Sequence, residues 1–311
     1  MAPDACRGKR EMTGGGAPGG RGGVALTGTG RVLVTGPTGT VGGPLVGLLA
    51  GRGAQVVAGA MHPPRFGGSA ECRALDFEWP ETFPDALAGV SQVFRMRPPA
   101  ISDTKRYLRP FIREAERAGV EHVVFLSLMG VNPVMPHWQV EQDLRASSLS
   151  WTFLRPSFFA QNLQTAYLAD IRDHSQVRVA SGRGRTSFID TRDIASVADL
   201  VMSGPAPHAG QAYTLTGAEA LDYYQVASLL SAELGRPVTY APLTLLAYRR
   251  ELRRQKLPTA YVSVQLLINL VARVGLAAKV TGTVGKLLGR SPTRLATYIH
   301  DQRGCWTSPG R

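Results

Sequence analysis

The sequence has few cysteines and no apolar run long enough to cross a membrane. Its three cysteines, Cys6, Cys72 and Cys305, lie far apart, and no C-x-x-C pair is present. This spacing argues against a disulfide framework or a metal site and favours a reducing compartment, so we expect a cytoplasmic protein without a bound metal. The most apolar stretch, residues 261–280, contains five polar or charged side chains. It predicts a buried or pocket-lining helix and no membrane contact.

Residues 1–30 also lack an apolar segment of signal-peptide length. This tail is rich in glycine and basic residues and is predicted to be disordered, and Met12 is an alternative start to Met1. The rest of the composition, with 44% hydrophobic and 19% charged residues, is typical of a globular protein. A chain of 311 residues can form one large core, or one large and one small domain.

Acidic residues are scarce near the carboxyl terminus. The formal net charge is +12, and residues 249–311 contain twelve Lys and Arg against Glu251 and Asp301, a local balance of +10. Five of these cations, in residues 249–256, have helical spacing and predict either a solvated helix face or a surface for an anionic partner. Nucleic-acid binding is not expected, because no recognition-helix motif and no interleaved aromatic residues accompany them.

A strand, a glycine turn and a helix follow one another in residues 31–46, RVLVTGPTGTVGGPLV. The turn contains Gly36, Gly39 and Gly42. Glycines let the backbone come close to a ligand, and the first free N–H groups of the helix point at its phosphates. The pattern predicts a pyrophosphate-binding turn at residues 35–42, although its G-x-x-G-x-x-G spacing differs from the common dinucleotide fingerprint.

Strands and helices alternate through the first half of the chain. The predicted strands after the glycine turn are 55–60, 72–77, 90–94, 122–128 and 151–154, and the predicted helices between them include 105–118 and 140–149. This alternation predicts an α/β fold with a doubly wound parallel Rossmann sheet. We expect a tail at 1–30, a dinucleotide-binding Rossmann core at 31–156, and a mixed region at 157–311. That last region would complete the sheet and form a small, mostly helical lobe on the substrate side.

The end of the second strand predicts the nucleotide preference. In a Rossmann fold an acidic residue there favours NAD and a basic residue favours NADP. Here the strand runs into Met61, His62 and Arg65, without a carboxylate. One charge-assisted contact of His62 or Arg65 with a 2′-phosphate, about 1.5–3 kcal/mol, gives a narrow preference for NADP(H) over NAD(H). The third strand ends at Asp76 and Phe77, where adenine is expected to lie.

Eight ordered segments resemble the NmrA-like group of the atypical short-chain dehydrogenase/reductases. They are TGPTGTVG (35–42), LDFEWPETF (75–83), RPPAISD (97–103), GVEHVVFLSLMGV (119–131), PHWQVEQDLRAS (136–147), WTFLRPSFFAQNL (151–163), SFIDTRDIA (187–195) and AYTLTGAEAL (212–221). The resemblance implies an NAD(P)-binding Rossmann domain with a small substrate-side region. It implies that all four residues from Thr38 to Val41, including Gly39, offer backbone N–H groups to the pyrophosphate and that Arg97 borders the nicotinamide. It also places Met61 where many NADP-using relatives have arginine.

The resemblance raises a question about catalysis. Ordinary members of the superfamily use a Ser, a Tyr that transfers the proton, and a Lys four residues after the Tyr. Here Ser127 stands at the expected strand end, while a register anchored on Glu141 puts Pro133 at the Tyr position and His137 at the Lys position. Either His137 donates the proton, or the substrate needs no acid from the protein. Hydrogen bonding to local backbone, without chemistry, is an equal alternative for His137 and the favoured one for Ser127.

The predicted function is that of an NAD(P)H-dependent reductase acting on an electrophilic small molecule of the carbonyl, imine or quinone type. The alternative is a non-catalytic NAD(P)-binding redox sensor that reports to a partner protein, and monomer and homodimer both stay open. Phe158, Phe159 and Asn162 are predicted to line the substrate pocket, although aromatic residues at such spacing also suit a core. For both Asn162 and Gln161 the alternatives are a contact with a polar group of the substrate and the capping of a turn. Asp193 is predicted to accept hydrogen bonds from free N–H groups at a helix start.

Overall fold

The computed structural model describes residues 30–62, 70–98, 101 and 103–307. The predicted disordered tail and Arg65 therefore lie outside the described residues, except for Gly30. The strands are β1 (Arg31–Thr35), β2 (Val56–Ala60), β3 (Ala70–Ala74), β4 (Val90–Met96), β5 (His122–Leu126), β6 (Ser150–Pro156), β7 (Phe158–Phe159), β8 (Gln176–Val177), β9 (Thr186–Ile189), β10 (Gln211–Leu215), β11 (Ala220–Leu221) and β12 (Thr239–Tyr240).

Twelve α-helices occur within the same residues. They are α1 (Gly42–Gly51), α2 (Phe83–Leu87), α3 (Thr104–Tyr107), α4 (Arg109–Arg117), α5 (Pro136–Arg145), α6 (Leu168–His174), α7 (Thr191–Ser203), α8 (Tyr223–Leu234), α9 (Leu245–Arg254), α10 (Thr259–Arg273), α11 (Thr283–Leu288) and α12 (Leu295–Asp301). Within the part of the chain that the structure describes, none of the helices has the length and apolar character needed to cross a bilayer.

Seven strands form one parallel sheet in the order β10-β6-β5-β4-β1-β2-β3. The chain leaves β1 for β2 and β3 on one side and then returns to β4 on the other. This reversal beside β1 creates the crevice at the carboxyl ends of the strands where open α/β sheets bind ligands. The predicted doubly wound Rossmann fold is confirmed.

Helices cover both faces of the sheet, so its central strands are largely buried and contribute apolar side chains to both faces. On one face Leu45 of α1 and Val197 of α7 pack with Val34 of β1. On the other face Phe111 of α4 and Leu144 of α5 belong to the second cluster. The two clusters hold the glycine turn and the start of α5 in place at the same edge of the sheet.

The region after β6 adds two small sheets and the remaining helices. One sheet has the order β11-β9-β7 and the other pairs β12 with β8. The helix predicted within 261–280 forms as α10, but its expected burial is wrong along one face. Val264 is 52% exposed, Leu267 48% and Leu270 42%.

Several predicted boundaries differ from the structure by a few residues; β4, for example, extends to Met96 rather than ending at Phe94. Two of the differences concern a helix and the strand β3. The predicted single helix 105–118 is split at Leu108 into α3 and α4, because Pro110 has no N–H to donate within a continuous helix. The predicted strand 72–77 ends earlier, at Ala74. Asp76 and Phe77 consequently lie in the turn after β3 rather than on the strand.

Candidate active site

The glycine turn joins β1 to α1 at the carboxyl edge of the sheet. Gly36 has φ +63°, a conformation that favours glycine. A Cβ on Gly42 would lie 2.2 Å from the Gly36 carbonyl oxygen, so only glycine fits there without moving the backbone. At Gly39 the nearest atom would be that same oxygen, at 3.2 Å. The backbone therefore excludes a side chain at Gly42, whereas a side chain at Gly39 needs only a shift of a few tenths of an ångström.

Several backbone N–H groups of the turn have no partner among the described residues. Those of Thr38, Thr40 and Val41 make no hydrogen bond to another described residue. Those of Gly39 and Gly43 bond within the turn, so the predicted role of the Gly39 N–H as a pyrophosphate donor is not supported. Three such donors beside the amino end of α1, with no side chain at Gly39, suit the oxygens of a pyrophosphate. The residues present thus fit the dinucleotide that the sequence predicts.

The residues predicted near the adenosine have mixed surroundings. Met61 and His62 follow β2 and are exposed. Asp76 accepts a hydrogen bond from the Glu78 N–H at 2.9 Å through its carboxylate. The Phe77 ring is 7% exposed and lies 5.3 Å from the Phe111 ring, between centroids. Phe77 is thus mainly a core residue, which leaves little of it to face an adenine.

Arg97 and His137 lie together where the nicotinamide side is expected. Arg97 follows β4, and its Nε donates to His137 Nε2 at 3.4 Å. A second nitrogen of Arg97 donates to the carbonyl oxygens of Pro98 and Ile101. Burial, reinforced by the positive charge of Arg97, lowers the pKa of His137 to about 3. At neutral pH the His137 imidazole is therefore uncharged.

Ser127 belongs to a buried network beside this pair. It follows β5, is 4% exposed, and its hydroxyl donates to Glu141 Oε1 at 2.7 Å. Arg155, at the end of β6, donates to the same oxygen at 2.9 Å and to the other carboxylate oxygen. Glu141 is wholly buried, so the two partners compensate its charge. The network fixes the ends of β5 and β6 against α5.

The predicted pocket residues separate into two groups. The Phe158 ring is half-buried and contacts Tyr167 and Phe188, with centroids 6.5 and 5.6 Å apart. Phe159 packs against the cluster around β1. These contacts support a packing role for both rings. Asn162 is half-buried. Gln161 is 6% exposed, and its side-chain amide is hydrogen-bonded to Asp190 and to the Thr191 N–H at the start of α7.

Asp193 does not have the predicted role at the helix start. Asp190 is the residue before α7, and its carboxylate accepts from the Arg192 N–H at 2.9 Å. Asp193 is wholly buried and accepts instead from the Thr293 N–H and from Arg290, each at 2.7 Å. The prediction was wrong because the carboxylate three residues earlier takes the cap position, and Asp193 instead holds the segment between α11 and α12.

Two buried polar residues were not found from the sequence. Arg95 of β4 is fully buried, with its guanidinium 5.6 Å from the Phe77 and Phe111 ring centroids. Thr191 is also fully buried, and its hydroxyl donates to the carbonyl oxygen of Thr40, 2.7 Å away. Arg95 was missed because the predicted strand ended at residue 94, whereas β4 continues to Met96. Thr191 had no sequence signal, because its partner lies 151 residues earlier.

A separate cavity lies beyond the end of β10, with a volume of about 730 Å³. Its lining includes Gly217, Thr281, Arg290 and Arg294 but none of the predicted site residues. Among the described residues, no group of three His, Cys, Asp or Glu side chains could hold a metal ion. The predicted cofactor and proton-transfer residues therefore gather at the sheet edge, apart from this cavity.

Comparison with known proteins identifies the family. Residues 28–272 match the model of the NmrA-like family. The chain belongs to the NmrA-like family. The match includes the glycine turn, Arg97, His137 and the start of α7, so the site lies within the family's shared region.

Individual members agree with this assignment. The chain is 34% identical over 277 residues to an NAD(P)H azoreductase of Xenophilus azovorans, covering 86% of this chain and 96% of the relative. It is 33% identical over 278 residues to a (4-alkanoyl-5-oxo-2,5-dihydrofuran-3-yl)methyl phosphate reductase of Streptomyces griseus, with 83% and 93% covered. An NADPH-dependent quinone oxidoreductase of Escherichia coli, solved with NADPH, has a TM-score of 0.78 at 24% identity, with 87% and 99% covered. This last likeness concerns the fold.

Proposed function

We propose that this NmrA-like protein is an NAD(P)H-dependent oxidoreductase that reduces an electrophilic small molecule. The named reductase relatives, which are similar along nearly their whole length, support the reaction class. The observation that carries the proposal is the glycine turn. Its N–H groups at Thr38, Thr40 and Val41 have no partner among the described residues, and an anionic ligand gives them one.

NADP(H) is the proposed cofactor, narrowly preferred over NAD(H). β2 ends at Ala60 and is followed by Met61 and His62, so no carboxylate stands there to accept from a ribose hydroxyl. His62 is exposed and can approach a 2′-phosphate, and Arg65 is the other basic residue in this segment of the sequence. The expected preference is small, because water screens a contact between a phosphate and the exposed His62 side chain.

The protein's own residues favour acceptors that need no acid from the enzyme. When bound, the reduced nicotinamide supplies a hydride. His137 is uncharged at neutral pH and receives a hydrogen bond from Arg97, while the Ser127 hydroxyl donates its hydrogen bond to Glu141. Both predicted donors are thus poor acids here. An iminium ion accepts a hydride without a proton, and a quinone reduced by hydride takes its proton from water, so both suit the site better than a simple ketone.

A panel of acceptors with NADPH tests this function. We expect turnover of a quinone and of a cyclic iminium ion, and a rate for a simple ketone lower by about 10²-fold or more. His137→Gln should change quinone reduction by less than about threefold, because no proton passes through His137. Loss of activity in that variant, with fast ketone reduction by the wild type, would instead make His137 the acid. Binding of NADPH without turnover of any acceptor would favour the redox sensor.

A further inference from the structure

We infer that Thr191 is a positioning residue for the cofactor, acting through the glycine turn. This inference rests on the proposed function, because it assigns a role to the turn as a dinucleotide site. Thr191 is the first residue of α7, lies far from the turn in sequence, and has no exposed surface. Its hydroxyl donates to the Thr40 carbonyl oxygen at 2.7 Å. This hydrogen bond connects the start of α7 to the glycine turn.

The effect on the turn follows from the geometry of the peptide group. The bond between Thr40 and Val41 is trans, because the described residues contain no cis peptide. In a planar trans peptide the C=O and the following N–H point in opposite directions. Thr191 holds the Thr40 carbonyl oxygen, and the Val41 N–H is therefore directed away from Thr191. This N–H is one of the donors in the turn without a partner among the described residues.

Without that bond the Thr40 carbonyl oxygen loses its hydrogen-bond donor, and the peptide is held only from its Val41 side, by the burial of the Val41 side chain. Thr40 itself is exposed and cannot be held by packing of its own side chain. The neighbouring bonds of the turn, Gly39 N–H to Gly36 and Gly43 N–H to Gly39, at 3.0 and 2.9 Å, do not involve this carbonyl. Thr191 thus helps to orient the Val41 N–H before the cofactor binds. This lowers the entropic cost of ordering the turn around a pyrophosphate.

Hydrogen bonds from neighbouring residues fix the position of Thr191. Its backbone N–H donates to Gln161 Oε1 at 3.0 Å, and Gln161 Nε2 donates to Asp190 Oδ1 at 2.9 Å. Asp190 is in turn paired with Arg192 at 2.6 Å. Gln161 is followed by Asn162, which is half-buried and is predicted to line the substrate pocket. The bonds therefore connect the substrate-side segment to the phosphate turn through one threonine hydroxyl.

Titration of NADPH fluorescence with Thr191→Val tests the inference. Valine keeps the shape of threonine and removes the hydroxyl, and we expect the Kd for NADPH to rise about threefold to tenfold, which is within the net contribution of one partly buried hydrogen bond. Thr191→Ser, which keeps the hydroxyl, should restore the Kd to within about twofold of the wild type. The matched control is Ser203→Ala on the same helix, which removes a 2.7 Å bond to the Asp199 carbonyl far from the turn. It should leave the Kd unchanged.

Steady-state kinetics and the melting temperature distinguish a positioning role of Thr191 from a role in fold stability alone. At saturating acceptor, Thr191→Val should raise the KM for NADPH and leave kcat unchanged. A lower melting temperature of the free variant with an unchanged Kd would overturn the inference, because the bond would then only stabilise the fold. Thr191→Ala, measured in parallel, replaces Thr191→Val if the valine variant does not fold, and an unchanged Kd there would overturn the inference equally. Failure of the wild type to bind NADPH would instead refute the proposed function.

Discussion

The two ends of the parallel sheet use their polar groups in opposite ways. At the amino end, His122 starts β5 and is 2% exposed, and its two ring nitrogens lie 2.9 Å from the hydroxyls of Ser150 and Thr152. At the carboxyl end, the N–H groups of Thr38 and Val41 have no partner among the described residues. Satisfied polar groups stabilise a fold, whereas free donors beside a helix start are ready for a ligand.

This difference separates residues that hold the sheet from residues that bind. The carboxyl end contains both kinds, because the Ser127–Glu141–Arg155 network there is as fully paired as the histidine at the opposite end. We therefore expect changes in the turn to act mainly on cofactor affinity, and changes in either paired network to act mainly on stability.

The largest effect on cofactor affinity is expected from Gly39→Val, which adds a side chain between Thr38 and Thr40, the residues that contribute free N–H groups to the turn. The new Cβ meets the Gly36 oxygen at 3.2 Å, so the fold should adapt, but the backbone can no longer approach a pyrophosphate closely. NADPH affinity should fall by at least about a hundredfold, roughly 2.8 kcal/mol. The control is Gly47→Val on α1, where a Cβ has no neighbour within 4 Å. Equal losses of affinity in the two variants would contradict a binding role for the turn.

Glu141→Ala should instead lower the free energy of unfolding. It leaves Arg155, which is 26% exposed, without its carboxylate partner, and because water reaches that side chain we expect a cost near the low end for broken buried pairs, about 3 kcal/mol. The change is measured by urea denaturation. The matched control is Glu71→Ala, whose carboxylate is 50% exposed in its pair with Arg73 and should cost less than about 1 kcal/mol. Similar costs in the two variants would contradict the difference between a buried network and a surface pair.

Acid should destabilise the protein through its buried histidines. Burial, with a smaller contribution from His208, lowers the pKa of His122 from 6.5 to about 4. Between these values the unfolded chain binds a proton that the folded chain does not, so stability falls as the pH drops from about 6.5 to about 4, by about 2 kcal/mol at pH 5 for His122. His137 acts in the same direction, with its folded pKa near 3. We expect the wild type to lose about 2 kcal/mol more unfolding free energy between pH 7 and pH 5 than His122→Gln does. An equal loss in the two proteins would contradict the low pKa of His122 in the folded state.

The parts of the site that depend on neighbouring residues were predictable from sequence. The glycine turn, β1 and the alternation of strands and helices follow from local spacing, and they fix the sheet edge at which the site forms. Contacts between distant segments were not predictable. Nothing in the sequence near Thr191 indicates Thr40 as its partner, and Asp193 was assigned the cap position that Asp190 occupies. The low pKa of His137 also depends on Arg97, 40 residues away, and on burial that the sequence pattern does not show.

A fluorescence titration of the wild-type protein with NADPH and NADH tests the central claim most directly, namely that the free donors of the glycine turn bind a dinucleotide. We predict saturable binding in the micromolar range, with NADPH bound more tightly than NADH by a factor of roughly ten. Absence of saturable binding by either nucleotide would contradict the account, because the turn would then have no ligand for its free N–H groups.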